Sequence, residues 1–535
     1  MCPICRLSTD LPAGYIRLES SPLSGDAALP VVRPGPPHSS FSSTWRTMTD
    51  LQKPASSDAP EKLDGALLKI AGVVVLGAIM SILDVTVVSV ALRTFTDVFD
   101  TTYANAAWTM TGYTLALATV IPLTGWAADR FGTKRLYITA LVLFVLGSVL
   151  CSFAWDITSL IVFRVLQGLG GGMLMPLGMT IMTRAAGPER IGRVMAVLGV
   201  PMLIGPIAGP ILGGWLIEAA SWHWIFLINL PIGILALIAA VMIFPKDNPT
   251  PSESFDFRGM LMLSPGLALF LYGASSVVET ETVLAVKVLV PVIVGLVLIV
   301  LFVFHALRVQ HPLIDLRLFG NRSLTVAVIT TTLFMVAFMG AGLLFPSYFL
   351  LRGETTLTAG LLLAPQGIGA MIAMPIAGVI ADKFGPGRIV LVGMVFITAG
   401  MAVFTQVGTD TSYSLLIGAL FVMGLGLGST MMPIMTAALQ TLTDETVARG
   451  STLMNIVQQA AGSIGTALMS VVLTAQQKPA LTATSQVEAF DISARAFGTT
   501  FMVALVLIVL TFVPAFFLPR TKHVTERSAA PIALH

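Results

Sequence analysis

The chain has 535 residues, 55% of them hydrophobic and 11% charged, with a formal net charge of +2 at pH 7. Soluble globular proteins carry roughly 25% charged residues, so this composition excludes an ordinary soluble domain. So small a net charge gives no reason to expect a nucleic-acid partner, and Cys2, Cys5 and Cys151 are too few for a disulfide framework.

Residues 1–64 are rich in Pro, Ser and Asp, lack a helical period, and read as a disordered cytoplasmic tail. Cys2-Pro-Ile-Cys5 is half of a zinc or redox motif with nothing to complete it, and is read as inert. Met48 opens a second, more ordinary start (Met-Thr-Asp-Leu-Gln-Lys). No secretory signal is expected, because the first apolar run is too long and lacks a small-residue cleavage site.

Apolar runs of about 20 residues then recur, the length a helix needs to cross a bilayer, without the alternating strands of a membrane barrel. The expected fold is all-α and polytopic, with fourteen spans near 66–92, 104–127, 136–154, 158–183, 191–217, 224–245, 258–278, 284–306, 324–350, 358–381, 389–406, 413–438, 449–474 and 498–518. Loop cations favour both termini on the cytoplasmic side. That side holds Arg130, Lys134, Arg135, Arg184, Arg190, Arg193, Lys383, Arg388 and Arg449 among others, against Arg93, Lys287, Arg352, Lys478 and Arg495 outside.

Within the first span lies Ser81-Ile-Leu83-Asp84-Val-Thr86, a carboxylate in the middle of an apolar run. A charge there costs at least about 2.5–3.5 kcal/mol on insertion scales, which marks a functional residue. A carboxyl so placed can be neutral in one conformation and ionised in another, as a proton carrier requires. After the second span comes Pro122-Leu-Thr-Gly125-Trp-Ala-Ala-Asp129-Arg130-Phe-Gly132-Thr-Lys134-Arg135, a tight charged hairpin. Asp129 and the cations around it are expected to latch the cytoplasmic side.

The fourth span holds the only basic residue well inside a run: Arg164, in Arg164-Val-Leu-Gln167-Gly168-Leu-Gly170-Gly171-Gly172. Arginine stays protonated in proteins, so it needs a partner or water, and Asp84 is the expected one. In the fifth span Gly205, Gly209 and Gly213 recur every four residues, interleaved with Pro206 and Pro210 and followed by Gly214. Such a face gives a close helix seam with a built-in bend.

The hairpin returns as Pro375-Ile-Ala-Gly378-Val-Ile-Ala-Asp382-Lys383-Phe-Gly385-Pro-Gly-Arg388, an offset of 253 residues from Gly125 to Gly378. Two hairpins in register indicate a duplicated transporter. The first follows span 2 and the copy follows span 10, so a six-helix duplication needs two extra helices between its halves. The domains expected are a tail over 1–64, a six-helix bundle over 65–245, two inserted helices and linker over 246–322, a second bundle over 323–520 and a tail over 521–535.

These motifs, with Trp222-His223-Trp224-Ile-Phe226-Leu-Ile-Asn229-Leu-Pro231-Ile-Gly233, Ala359-Gly360-Leu-Leu-Leu-Ala-Pro365-Gln366-Gly367 and the segment from Ser451 to Gly465, resemble the major facilitator superfamily. With the span count, the chain is similar to its fourteen-span drug/proton antiporters (EmrB/QacA type) over roughly residues 66–520. The resemblance implies two six-helix bundles and alternating-access export driven by protons. It implies a coupling role for Asp84, a part in proton transfer for Arg164, and an exporter signature at Gly205, Pro206, Gly209, Pro210, Gly213 and Gly214. Ser89, Arg93 and His223 depart from the Asn, Pro and Arg that members often carry.

Gln167, Gln366, Asn455, Gln458 and Gln459 are the polar residues expected at the substrate cavity, with methionines of spans 4 and 12 as an adaptable lining. No second carboxylate lies deep in the C-terminal half, which favours small hydrophobic substrates, neutral or monocationic. No nucleotide-binding P-loop, metal site or cofactor site is expected, so the driving force is the proton gradient across the cell membrane. Export of one endogenous metabolite, lipid or peptide, and a transport-inactive sensor or scaffold, are the competing readings. An envelope partner stays open at this stage.

Overall fold

The computed structural model describes residues 65–520 apart from 188–189, 248–253, 281, 409, 444–445 and 483–484; both expected tails lie outside the described residues. The N-terminal helices are α1 (Gly65–Val98), α2 (Tyr103–Phe131), α3 (Thr133–Ser152), α4 (Ile157–Ala186), α5 (Ile191–Ala219), α6 (Trp224–Leu227) and α7 (Asn229–Ile243). Then come α8 (Phe257–Thr280) and α9 (Val286–Arg308). The C-terminal helices are α10 (Arg322–Leu351), α11 (Thr356–Phe384), α12 (Pro386–Phe404), α13 (Tyr413–Leu439), α14 (Val447–Gln477) and α15 (Gln486–Ala515). No strand occurs among the described residues.

Thirteen helical segments of the described residues are long and apolar enough to cross a membrane, α6 and α7 counting as one. α5, with 29 residues, is the remaining expected span; part of its side chains lies outside the described residues. Several helices outrun their apolar cores. α1 continues to Val98 and α15 starts at Gln486, because polar ends such as Arg93-Thr-Phe-Thr-Asp97 and the Ser485 cap extend a helix into water as readily as they end it. The sixth span is broken at Ile228: Pro231 lacks the N–H that Leu227 would accept, so the helix restarts at Asn229.

The two charged hairpins reverse the chain within a single glycine. Gly132 and Gly385 have φ of +89° and +84°, a region that side-chain-bearing residues rarely enter. In the first hairpin, helix ends are capped reciprocally. Asp247 accepts the α3 amides of Lys134 and Arg135 at 2.8 and 2.9 Å, while Lys134 Nζ donates to the Val241 and Phe244 carbonyls of α7 at 2.7 and 2.8 Å. Anion at an N-terminus and cation at a C-terminus both suit the helix dipole. The loop into α4 ends in a capping box, where the Ser159 amide donates to Asp156 and holds that carboxyl below the usual range.

Packing divides the helices into two groups. In the first, α2 and α3 pack on α4, and α1 on α5; in the second, α11 and α12 pack on α13, and α10 on α14 and α15. The groups meet where α5 lies on α11 and α2 on α14. α8 lies against both α2 and α14, whereas α9 packs on α8 and leaves most of its apolar surface outward.

Candidate functional site

Asp84 and Arg164 meet inside the N-terminal group, their side chains completely buried. Arg164 Nη1 donates to Asp84 Oδ2 at 2.5 Å. Gln167, one turn beyond Arg164 on the same face of α4, bridges the pair: its Nε2 donates to Asp84 Oδ1 at 2.7 Å and its Oε1 accepts Arg164 Nη1 at 2.8 Å. Arg164 Nε donates to the Thr109 carbonyl at 3.1 Å, and the guanidinium lies over the Tyr113 ring at 4.2 Å. Arg164 Nη2 is buried with no hydrogen-bond partner.

The glycines of α4 make this convergence possible. A Cβ on Gly168 would stand 2.5 Å from the Tyr113 carbonyl of α2, and one on Gly170 would stand 2.5 Å from the Phe144 amide of α3. Both helices therefore come close enough for their backbones to touch α4. Ser81, Thr109, Tyr113, Ser148 and Asn229 complete the cluster, and sequence reasoning assigned none of them a role. Ser81 and Tyr113 share a hydrogen bond at 3.2 Å. Asn229 Nδ2 lies 3.4 Å from Asp84 Oδ1 and 3.0 Å from Ser148 Oγ.

α5 packs on the other face of α1. Gly205 is in contact with Ile82, Gly209 with Thr86, and Gly213 with Val87 and Val90, while Gly214 faces open space. Thr86 Oγ1 donates to the Gly205 carbonyl at 3.2 Å. The side chains of Pro206 and Pro210 lie outside the described residues.

The two hairpins close one end of the molecule across the two groups of helices. Asp382 accepts the Gly192 and Arg193 amides at 2.7 and 3.2 Å and Arg193 Nε at 3.0 Å. Asp129 pairs with Arg184 at 3.3 Å and with Arg449 of α14 at 3.6 Å. Gly378 packs against Gly192 and Arg193, and Gly125 against Arg449 and Thr452. Thus the cations that engage Asp129 come from α4 and α14. Arg130, Arg135, Lys383 and Arg388 are exposed, and Lys134 caps α7. Further in, Thr180 and Ser451 bond at 2.8 Å and Asn455 Nδ2 reaches Met179 Sδ at 3.5 Å, so the closure continues about one to two turns inward.

Of the residues expected at a cavity, Gln167 is fully buried in the carboxylate cluster and Asn455 is buried in the closure. Gln366, Gln458 and Gln459 are partly exposed, and Gln366 Nε2 is buried without a partner. Met179, Met182, Met423, Met432 and Met435 are packed in helix interfaces, whereas Met175 and Met431 stay partly exposed. Among the described residues no cluster of metal-ligating side chains occurs.

The chain is similar to known proteins over most of its length. The Major Facilitator Superfamily model matches residues 74–466. A protein of Mycobacterium tuberculosis described as a multidrug resistance protein B homolog is 48% identical over 542 residues, covering 95% of this chain and 98% of that protein. A putative multidrug resistance protein MdtD of Escherichia coli is 31% identical over 410 residues, covering 75% of this chain and 85% of that protein. In fold, the chain is similar to the human organic anion transporter MFSD10 (TM-score 0.55, 14% identity, 83% of this chain and 99% of that one). It is also similar to the proton:xylose symporter XylE (TM-score 0.54, 17% identity, 85% of this chain and 97% of that one).

Proposed function

The chain belongs to the major facilitator superfamily of membrane transporters, and from that premise we propose that it exports small hydrophobic compounds, neutral or monocationic, in exchange for protons. Multidrug resistance is what the names of its relatives state, and the chemistry inside this chain supports the same reading. The observation that carries it is the completely buried Asp84–Arg164 pair. A buried ion pair is seldom retained for stability, because desolvation offsets its attraction. Its use here is to change charge.

Arg164 cannot give up its proton, so protonation of Asp84 leaves a buried cation without its anion. Tyr113, Gln167 Oε1 and the Thr109 carbonyl then hold the guanidinium, in an arrangement of different energy from the ionised one. Proton binding thereby biases a two-state equilibrium of the helices, and substrate biases it the other way. The end closed by Asp129 and Asp382 is the cytoplasmic one in this scheme, with both termini on that side of the cell membrane. The α1–α5 seam lies one helix face from Asp84 and carries the change in its charge into helix packing. No cofactor takes part, and Gln366, Gln458 and Gln459 offer polar contacts to a largely apolar substrate.

The test is proton movement in inverted membrane vesicles on addition of a lipophilic cation such as ethidium. Wild type should collapse an imposed pH gradient and Asp84→Asn should not. Equal dissipation by both would remove Asp84 as the coupling site. No response from folded protein would sink broad export and leave a single endogenous substrate.

A further inference from the structure

The segment Trp222 to Gly233 carries a polar residue, Asn229, that the scheme above does not use. Asn229 is 3% exposed and stands at the restart of the helix broken by Pro231. Beside that break, the Phe226 carbonyl accepts the Ser148 hydroxyl at 2.9 Å. A serine has one hydroxyl proton, so toward Asn229 the Ser148 oxygen acts only as an acceptor. This fixes the amide. Nδ2, not Oδ1, must face Ser148, and its second hydrogen is directed at Asp84 Oδ1.

We infer that Asn229 is a positioning residue for Asp84: an amide donor, held in one orientation by Ser148 and the Phe226 carbonyl, that favours the ionised carboxylate and ties its proton exchange to the α6–α7 break. The inference rests on the proton-coupling role of Asp84 proposed above. A hydrogen bond to an ionised carboxylate is roughly twice as strong as one to a neutral group. Protonation of Asp84 therefore weakens its hold on the first turn of α7, next to the point where that span is interrupted. A proton bound on α1 is then felt on α7 through a single amide.

The titratable groups that surround Asp84 are Arg164 on α4, Tyr113 on α2 and Cys151 on α3, the last through Gln167. α6 and α7 carry no titratable residue, and on α5 the charged side chains, Arg193 and Glu218, stand near its two ends. Asn229 and Gln167 are thus the neutral donors to Oδ1. Removing Asn229 takes away one of the two neutral donors that favour the ionised carboxylate.

The experiment measures substrate-driven proton flux against pH for the full chain in proteoliposomes, using ethidium, with Asp84→Asn as the reference variant. Asn229→Leu should move the midpoint of the profile upward by about half to one pH unit. Ser148→Ala, which keeps the amide but frees its orientation, should move it the same way by less. Asn229→Gln, which restores a donor, should recover part of the shift. Unchanged or downward-shifted midpoints in Asn229→Leu and Ser148→Ala, with turnover lowered equally at every pH, would make Asn229 a packing residue and overturn the inference. Should Asn229→Leu not fold, the Ser148→Ala midpoint decides. If Asp84→Asn couples protons as wild type does, the proposed coupling role of Asp84 falls and this inference with it; if only the Asn229 and Ser148 midpoints stay put, the inference falls alone.

Discussion

Asp129 and Asp382 stand at equivalent ends of α2 and α11, and each bonds across to the first turn of a helix in the opposite group. Asp129 reaches Arg449 on α14, and Asp382 reaches Gly192 and Arg193 on α5. The relation is symmetric in placement but not in burial. The Asp382 side chain is 3% exposed and accepts two backbone amides plus an arginine, whereas that of Asp129 is 15% exposed and pairs with Arg184 and Arg449.

This asymmetry predicts unequal gates. Hydrogen bonds to a buried charged group are worth about 1.5–3 kcal/mol, while part-exposed ion pairs contribute about 0–1 kcal/mol. Asp382→Ala should therefore raise maleimide labelling of a Met374→Cys reporter, buried in the closed end, roughly tenfold or more. Asp129→Ala should raise it by no more than about five-fold. Labelling in inverted vesicles of an otherwise cysteine-free chain reads both, and a larger effect from Asp129→Ala would contradict the assignment.

Two adjacent glycines separate packing from composition. A Cβ on Gly213 would lie 2.8 Å from Val90 Cγ2 and 3.1 Å from the Val87 carbonyl, whereas one on Gly214 would meet nothing within 4 Å. Gly213→Ala must push α5 off α1 and is expected to lower export severely. Gly214→Ala should leave export intact and stabilise α5 by about 0.5–1 kcal/mol, since alanine loses less freedom in a helix. Efflux assays with thermal unfolding of each variant check the pair.

The reciprocal cap at the first hairpin is also separable. Asp247→Ala removes the acceptor of two α3 amides at a cost of about 1 kcal/mol, which corresponds to roughly five-fold faster hydrogen exchange at Lys134 and Arg135. Exchange elsewhere in the hairpin-end contacts, at Gly192 for example, should not change.

Much of this was legible in the sequence, for physical reasons. Charge is rare in apolar spans, so Asp84 and Arg164 stood out, and the hairpin repeat showed both the duplication and the place of its acids. Gln167 could have been placed with Arg164 from its i+3 spacing on one helix face, but its amide suited a cavity equally well. Asn229, Ser148 and Tyr113 were not legible, because such residues are common in spans and only tertiary packing decides whether they meet a charge. The signal available for Asn229 was Pro231: an amide next to a break in an apolar helix must find a partner elsewhere. The partners of Asp129, Arg184 and Arg449, were not legible for the same reason, since both lie far from it in the sequence and meet it only across helix interfaces.

The last prediction concerns what the Asp84–Arg164 pair does for folding. Removing one member leaves the other charge buried, which costs about 3–5 kcal/mol, whereas replacing both by apolar residues of similar volume is often neutral or stabilising. Arg164→Leu should therefore sharply lower the unfolding temperature in detergent, because Asp84 would keep only Gln167 and Asn229 as donors. Asp84→Leu should do the same by stranding the guanidinium, whose Nη2 already lacks a partner. The double variant Asp84→Leu/Arg164→Leu should regain most of the lost stability while remaining unable to couple protons. That split, stability restored without transport, is what a pair kept for charge exchange predicts. A pair kept to fix α1 against α4 predicts instead that the double variant is at least as unstable as either single one.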